Sequence, residues 1–374
     1  MSIPTPSSVL WLRALLLAAS LLTAAVPFAA EPPPPRALQE QLESLLQQQG
    51  LKPEHVGLLL YSTRERKYLA SVRQDQPLVA ASNTKLVTTY IALRVLGPNY
   101  RWRTRLSLVE PKDVPGDLSR QGLLVEGSGD PTLTSRGLEA LALRLRAEGV
   151  RRIDGPIYLD GSVYEEDSRP NPLPPESPAY IPLSPFVVDY NTIEFTITRN
   201  PSGAPDVLGL LPAEGARVVS QLQSITEGRS VIKVEQAWSE RGATFTLSGS
   251  VRTTPRVHAL STAISQPAQW FYHWLRVAMR RVGIEGNPPL QLGAPENGNP
   301  RLVFSQLSPP LREAIVEIDK QSSNLGAEAM LRAVAQTVKP KGVTGEDGLR
   351  VARRELAKEF PGMEGHYRLA DGSG

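Results

Sequence analysis

Leucines at 38, 42, 45 and 46 recur at helical spacing, and Gly50 closes the run, which predicts a helix over 37–48. The next stretch changes period. His55 to Ser62 and Lys67 to Val72 are short β-prone runs, and the polar turn Thr63-Arg-Glu-Arg66 between them predicts a hairpin. After Pro77 the helical period returns. Leu86, Tyr90 and Leu93 fall on one face with Val87 and Ile91 beside them, so a helix is predicted from Ser82 to Leu96, ended by Gly97-Pro98.

Residues 100–260 read differently. Alternating runs at Trp102–Val109, Gln121–Glu126, Ile153–Asp160, Thr192–Thr198, Val231–Trp238 and Ala243–Val251 are separated by turn-forming stretches, notably the proline-rich Arg169–Pro178. One helix, Ser135–Glu148, interrupts them. Helices then resume at Trp270–Val282, Pro310–Ile318 and Leu325–Val338. The expected fold class is therefore α/β (α+β). Residues 31–99 and 262–374 form two halves of one domain, and 100–261 form a β-rich insertion between them.

The N-terminus alters the picture. Arg13 precedes an apolar stretch, Ala14–Val26, and small residues Ala29 and Ala30 follow, so residues 1–30 read as a secretory signal peptide. Export to the periplasm or cell envelope follows as an expectation, with no stable membrane span elsewhere. With no cysteine, disulfides and thiolate chemistry are excluded. The four histidines form no His-Glu-x-x-His pattern, so no metal and no cofactor are expected. A net charge of +3 without a basic, aromatic-interleaved stripe argues against nucleic acid as a partner.

Candidate chemistry lies at two places. Ser82-Asn-Thr-Lys85 opens a predicted helix, where residues three apart share a face and free N–H groups favour developing negative charge. That arrangement suits a hydroxyl nucleophile with an amine base. The same pattern at Ser230-Val-Ile-Lys233 lies in a predicted strand, where the two side chains face opposite ways, and is read as chance. Ser322-Ser-Asn324 sits in a short break between two predicted helices, where its hydroxyl and amide can project from a loop. Each has a plain alternative: Ser82 as a helix cap beside a solvated lysine, and Ser322 and Asn324 as caps of the following helix. No Gly-x-Ser-x-Gly elbow, phosphate loop or dinucleotide fingerprint is present.

Ser-x-x-Lys followed far downstream by Ser-x-Asn resembles the order of motifs in penicillin-binding proteins and serine β-lactamases. The segments Ala81–Thr89, Gly127–Leu133, Asp189–Asn191, Gln321–Leu325 and Leu369–Gly374 are similar, in order, to the D-alanyl-D-alanine carboxypeptidase/endopeptidase branch, the class C low-molecular-mass penicillin-binding proteins. That branch carries a large insertion between the first two motifs. The resemblance covers about residues 40–374. It implies a penicillin-binding/serine β-lactamase-like transpeptidase domain interrupted by the β-rich block. It implies Ser82 as nucleophile, Lys85 as its base, Ser322 as proton relay to the leaving D-alanine and Asn324 as a substrate-amide contact. The implied partners are peptidoglycan stem peptides, with β-lactams as inhibitors.

One departure stands out. The family carries a third motif, Lys-Thr-Gly, beyond Asp-Gly-Ser-Gly, and no such tripeptide follows Asn324 here. The expectation is a C-terminally truncated chain, poorly stable and weakly active or inactive. The rival readings are a non-catalytic wall-peptide-binding module on the same fold, and a β-lactamase or esterase. Gly127–Leu133 and Asp189–Asn191 read more readily as structural turns.

Overall fold

The structure is a computed structural model and describes residues 36–374, except 111, 113–120, 166–179, 181, 210–214, 240–241, 253–256 and 364. The expected signal peptide at 1–30 and the proline-rich stretch 169–178 lie outside the described residues. The described chain forms two compact units, divided after Val79.

The smaller unit contains helix α1 (Arg36–Gln48) and the antiparallel hairpin of β1 (Leu58–Ser62) and β2 (Lys67–Val72), with a bulge between Leu60 and Tyr61. Arg66 takes a positive φ of 51° in the connecting turn. Gln39 fixes the helix to the strand as a backbone would. Its amide donates to the Ser71 carbonyl at 2.8 Å and its oxygen accepts the Ser71 N–H at 2.9 Å. Leu59, Leu60 and Tyr61 remain exposed along β1.

The larger unit opens with a 3₁₀ turn at Ala81–Asn83 and helix α2 (Thr84–Leu96). Then come β3 (Arg103–Glu110), β4 (Gly122–Glu126), α3 (Ser135–Ala147) and β5 (Ile157–Asp160). Six strands follow: β6 (Thr192–Arg199), β7 (Pro205–Gly209), β8 (Ala216–Ile225), β9 (Val231–Ser239), β10 (Gly242–Arg252) and β11 (Val257–Ala263). The chain continues through α4 (Pro267–Arg281), β12 (Leu290–Leu292), β13 (Asn299–Leu307), α5 (Leu311–Lys320), α6 (Asn324–Ala335) and α7 (Gly345–Glu359).

Five strands pair in the order β12-β5-β4-β3-β13, with β4–β5 and β5–β12 parallel and the rest antiparallel. Two three-stranded sheets, β11-β6-β7 and β8-β10-β9, complete the β structure. Leu138, Leu141 and Leu145 recur on one face of α3, and Trp270, Phe271, Trp274 and Leu275 line α4; both faces are buried in one cluster with Leu106, Leu123, Val125, Ile157 and Phe245. This core does not stop at residue 261. It takes in α4 and Phe304 of β13.

A second cluster joins Ile91 and Ala92 of α2, Trp102, Ile318 of α5, Met330 and Val334 of α6 and Leu349 and Ala352 of α7. Small residues let the helices approach: α2 lies along α6, and α6 along α7. Helix α7 was not marked by the periodicity used above. Its signal is the capping box, in which Thr344 accepts from the Asp347 N–H and Asp347 accepts from Thr344. The strand expected at Ile153–Asp160 is confined to 157–160. Among the described residues no helix is long and apolar enough to cross a membrane.

Candidate active site

Ala81 has a positive φ of 46°, a left-handed turn that sets Ser82 and Asn83 into the 3₁₀ segment ahead of α2. Ser82 is exposed, whereas Lys85, one turn on, is only 2% exposed. The Lys85 Nζ donates to Ser82 Oγ at 3.0 Å and to the Ser373 carbonyl at 3.0 Å. No side chain caps either the 3₁₀ turn or α2. Ser82 therefore serves the lysine rather than the helix end, and the lysine is not solvated.

Burial holds the Lys85 amine below the ordinary lysine range, against the opposing pull of Asp371, Asp319 and Glu328. An ammonium stripped of water is disfavoured relative to the free amine, the form a base requires.

The segment Asp371–Gly374 lies between α2 and α6. Thr88 Oγ1 donates to the Gly372 carbonyl at 2.7 Å, and Glu328 of α6 accepts the Gly372 N–H at 2.5 Å. Asp371 accepts from the N–H groups of Ser373 at 2.8 Å and Gly374 at 2.6 Å, which folds the segment on itself.

The Ser-Ser-Asn segment forms the corner between α5 and α6. Ser322 adopts φ 52°, and the N–H groups of Ser322 and Ser323 close on the carbonyls of Asp319 and Ile318. Ser323 caps α6, accepting from the Gly326 N–H at 3.1 Å. The capping role thus falls on the middle residue and leaves the Ser322 hydroxyl and the Asn324 amide to other uses. Among the described residues neither group hydrogen-bonds to Ser82 or Lys85. The corner is tied to α2 through Asp319, whose carboxylate accepts from Thr89 Oγ1 at 3.0 Å. Burial raises the Asp319 carboxyl above its usual range, while Thr89 and Lys85 oppose the shift.

In the duplicate Ser230…Lys233, Lys233 lies in β9 and Ser230 just ahead of it. Ser230 Oγ accepts from the Arg252 N–H, and Lys233 pairs with Glu235 at 2.6 Å. The other marked segments are loop scaffolds. Asp130 is buried and accepts from the Thr132 N–H and hydroxyl. Asn191 is fully buried; it accepts from the Val188 N–H and donates to the carbonyls of Pro182 and Phe186. Asp189, Tyr190 and Asn191 all take positive φ.

Sequence reasoning gave no role to Thr88, Thr89 or Asp371, which lie in the segments Ala81–Thr89 and Leu369–Gly374, and did not mark Asp319, Glu328 or Arg332. The Glu328–Arg332 pair is visible as an i,i+4 spacing, which is ordinarily a surface feature. Here the two side chains are 9% and 7% exposed and 2.6 Å apart.

The model of the D-Ala-D-Ala carboxypeptidase 3 (S13) family matches residues 38–374. The chain belongs to that family. It is 26% identical over 352 residues to a D-alanyl-D-alanine carboxypeptidase of Actinomadura sp. (strain R39), a match covering 90% of this chain and 64% of that one. It is 24% identical over 328 residues to the carboxypeptidase DacB of Haemophilus influenzae, covering 86% of this chain and 67% of the relative. The chain thus spans about two thirds of the length of these relatives. Its fold is similar to that of penicillin-binding protein 4 (dacB) from Haemophilus influenzae: the TM-score is 0.68 at 22% identity, over 85% of this chain and 70% of that one. The same protein complexed with a β-lactam gives a TM-score of 0.64 at 23% identity, over 84% of this chain and 68% of that one.

Proposed function

We propose that this S13 family member is a serine-type D-Ala-D-Ala carboxypeptidase or endopeptidase acting on peptidoglycan stem peptides in the cell envelope, and that β-lactams acylate it. The observation that carries the reading is the buried Lys85 amine 3.0 Å from the exposed Ser82 hydroxyl at the start of a helix.

In the proposed reaction Lys85 acts as the free amine. Its lone pair accepts the Ser82 Oγ proton while an N–H continues to donate to the Ser373 carbonyl. Ser82 Oγ attacks the carbonyl joining the two D-alanines, and the backbone N–H of Ser82 donates to the developing oxyanion. The bond to the terminal D-alanine breaks as Ser322 relays to its amine the proton that Lys85 took, which returns Lys85 to the free amine and Ser322 to its hydroxyl, and Asn324 holds the substrate amide. Water then hydrolyses the ester on Ser82.

The domain organisation is proposed on the same footing: within the larger unit, residues 80–99 and those after about 307 build one domain, and the β-rich block between them is an insertion. The boundary is set after β13 instead of at 261, because α4 and β13 share the apolar core of β3–β5. Export through residues 1–30 is supported by Arg13 and the apolar stretch behind it.

The test is labelled penicillin followed by peptide mass mapping. The expected result is a single adduct on Ser82, absent from Ser82→Ala. An adduct elsewhere, or persistent labelling of Ser82→Ala, would overturn the assignment. Faster hydrolysis of a D-Ala-D-Ala peptide than of a β-lactam separates the peptidase from a β-lactamase. Binding of wall peptide without turnover would leave only a recognition module.

A further inference from the structure

Glu328 belongs to none of the motifs, yet both of its carboxylate oxygens are committed inside the protein. Oε2 accepts from Arg332 at 2.6 Å, and Oε1 accepts from the Gly372 N–H at 2.5 Å. A buried ion pair recovers its desolvation cost only where the remaining acceptors are used, and here they are. The peptide held in this way is the one next to the lysine. The Gly372 carbonyl takes the Thr88 hydroxyl, and the following carbonyl, that of Ser373, takes Lys85 Nζ. The fit is close on the α6 side. A Cβ at Gly372 would stand 3.1 Å from Glu328 Oε1 and 3.2 Å from the Ala327 carbonyl, so the segment is seated against α6 as a glycine backbone.

The charged groups around Lys85 come from each neighbouring element: Asp319 from α5, Asp371 from the segment itself and Glu328 from α6, with Arg332 paired to Glu328. Asp319 also receives Thr89, and Asp371 folds back on Ser373 and Gly374. Glu328 alone among the three grips the Gly372 N–H from the opposite helix.

We propose that Glu328 is a positioning residue for acyl transfer: its carboxylate holds the Gly372–Ser373 peptide so that the Ser373 carbonyl fixes Lys85 toward Ser82, and it supplies a counter-charge to the lysine's ammonium form. This rests on the acyl-transfer reading above. Both consequences have separate signatures. Losing the grip lowers the rate at every pH. Losing the charge makes the ammonium easier to deprotonate, which moves the acidic limb of the rate profile to lower pH.

The experiment is the pH dependence of acylation by a fluorescent penicillin, measured on the full chain with wild type, Ser82→Ala, Glu328→Gln and Glu328→Asp. Glu328→Gln is expected to lower the maximum rate about tenfold and shift the acidic limb down by about one pH unit. Glu328→Asp, which keeps the charge on a shorter arm, is expected to lower the rate but leave the limb where wild type has it. If Glu328→Gln does not fold, Glu328→Gln/Arg332→Gln restores donor–acceptor complementarity between the two side chains and is expected to shift the limb in the same direction by a smaller amount, because the guanidinium charge is lost as well. A limb that stays in place in the Gln variant, or a wild-type rate and profile there, overturns the proposal. Label that survives Ser82→Ala brings down acyl transfer itself, and the role of Glu328 with it.

Discussion

Beneath the five-stranded sheet, the core around α3 and α4 is built from apolar side chains: Leu138, Leu141, Leu145, Trp270, Phe271 and their neighbours, and among the described residues the indole N–H groups of Trp270 and Trp274 have no hydrogen-bond partner. Between α2 and α6 the interior is of another kind. Lys85, Thr88, Thr89, Glu328 and Arg332 are all buried, and each has a named hydrogen-bond partner. The first core gains stability from area removed from water, roughly 1.5–3 kcal/mol for each large side chain, and tolerates a stray unpaired N–H. The second takes up charge and hydroxyls at a desolvation cost and returns a lysine whose proton is easier to lose. The difference teaches where to expect chemistry: at the interface whose polar groups are buried and paired, not at the one that packs most tightly.

The largest effect should come from the polar core. Lys85→Met keeps the hydrocarbon stem and removes the amine, and is expected to slow acylation about 10²–10⁴-fold while the fold persists. The measurement is single-turnover labelling alongside a melting curve. In wild type the rate should rise with pH along a limb below the ordinary lysine value of 10.5, because the reactive form is the free amine and burial lowers its pKa. A limb at or above that value would mean that Lys85 is not the base.

The next pair of variants sets the two cores against each other. Arg332→Ala strands the Glu328 charge in the interior and is expected to cost about 3–5 kcal/mol in urea unfolding. Leu141→Ala leaves a cavity in the apolar core and should cost about 2–5 kcal/mol. Replacing both Glu328 and Arg332 by Met separates the cases. The unfolding cost should shrink well below that of Arg332→Ala, yet acylation should stay slow, since the Gly372 N–H has lost its acceptor. Full recovery of both would make the polar core merely structural.

How much of this was legible in the chain follows the same division. Apolar periodicity marks α2 through Leu86, Tyr90 and Leu93, and α3 through its leucines, because helix packing rewards spacing that a sequence displays directly. The helical spacing of Ser82 and Lys85 was readable for the same reason. Not readable was that Leu86 faces outward at 63% exposure while Lys85 turns inward. The arrival of residues 371–374, almost three hundred positions downstream, together with α6, makes that side of the helix an interior. Glu328 and Arg332 likewise have the spacing of a solvated pair, and α6 hides them because α2 and the Gly372 segment cover that face. Strands β12 and β13 were passed over for a related reason: their burial patterns are mostly exposed and lack the alternation that marks a strand.

An effect absent at neutral pH belongs to the apolar core and concerns its one buried imidazole. His273 of α4 is 3% exposed, and burial, with Arg276 one turn on as a lesser cause, lowers its pKa from 6.5 to about 4. Between those values the unfolded chain binds a proton that the folded chain refuses. Stability must therefore fall as pH drops from 6.5 toward 4, by about 1.4 kcal/mol for each pH unit in that window from this group alone. His273→Phe, similar in shape and unable to titrate, should flatten that part of the curve while leaving stability near neutral pH little changed. The readout is the difference in urea midpoints between wild type and variant across the window. Parallel curves would mean that water or a polar neighbour already accommodates the imidazolium, and that this core is less dry than its apolar lining implies.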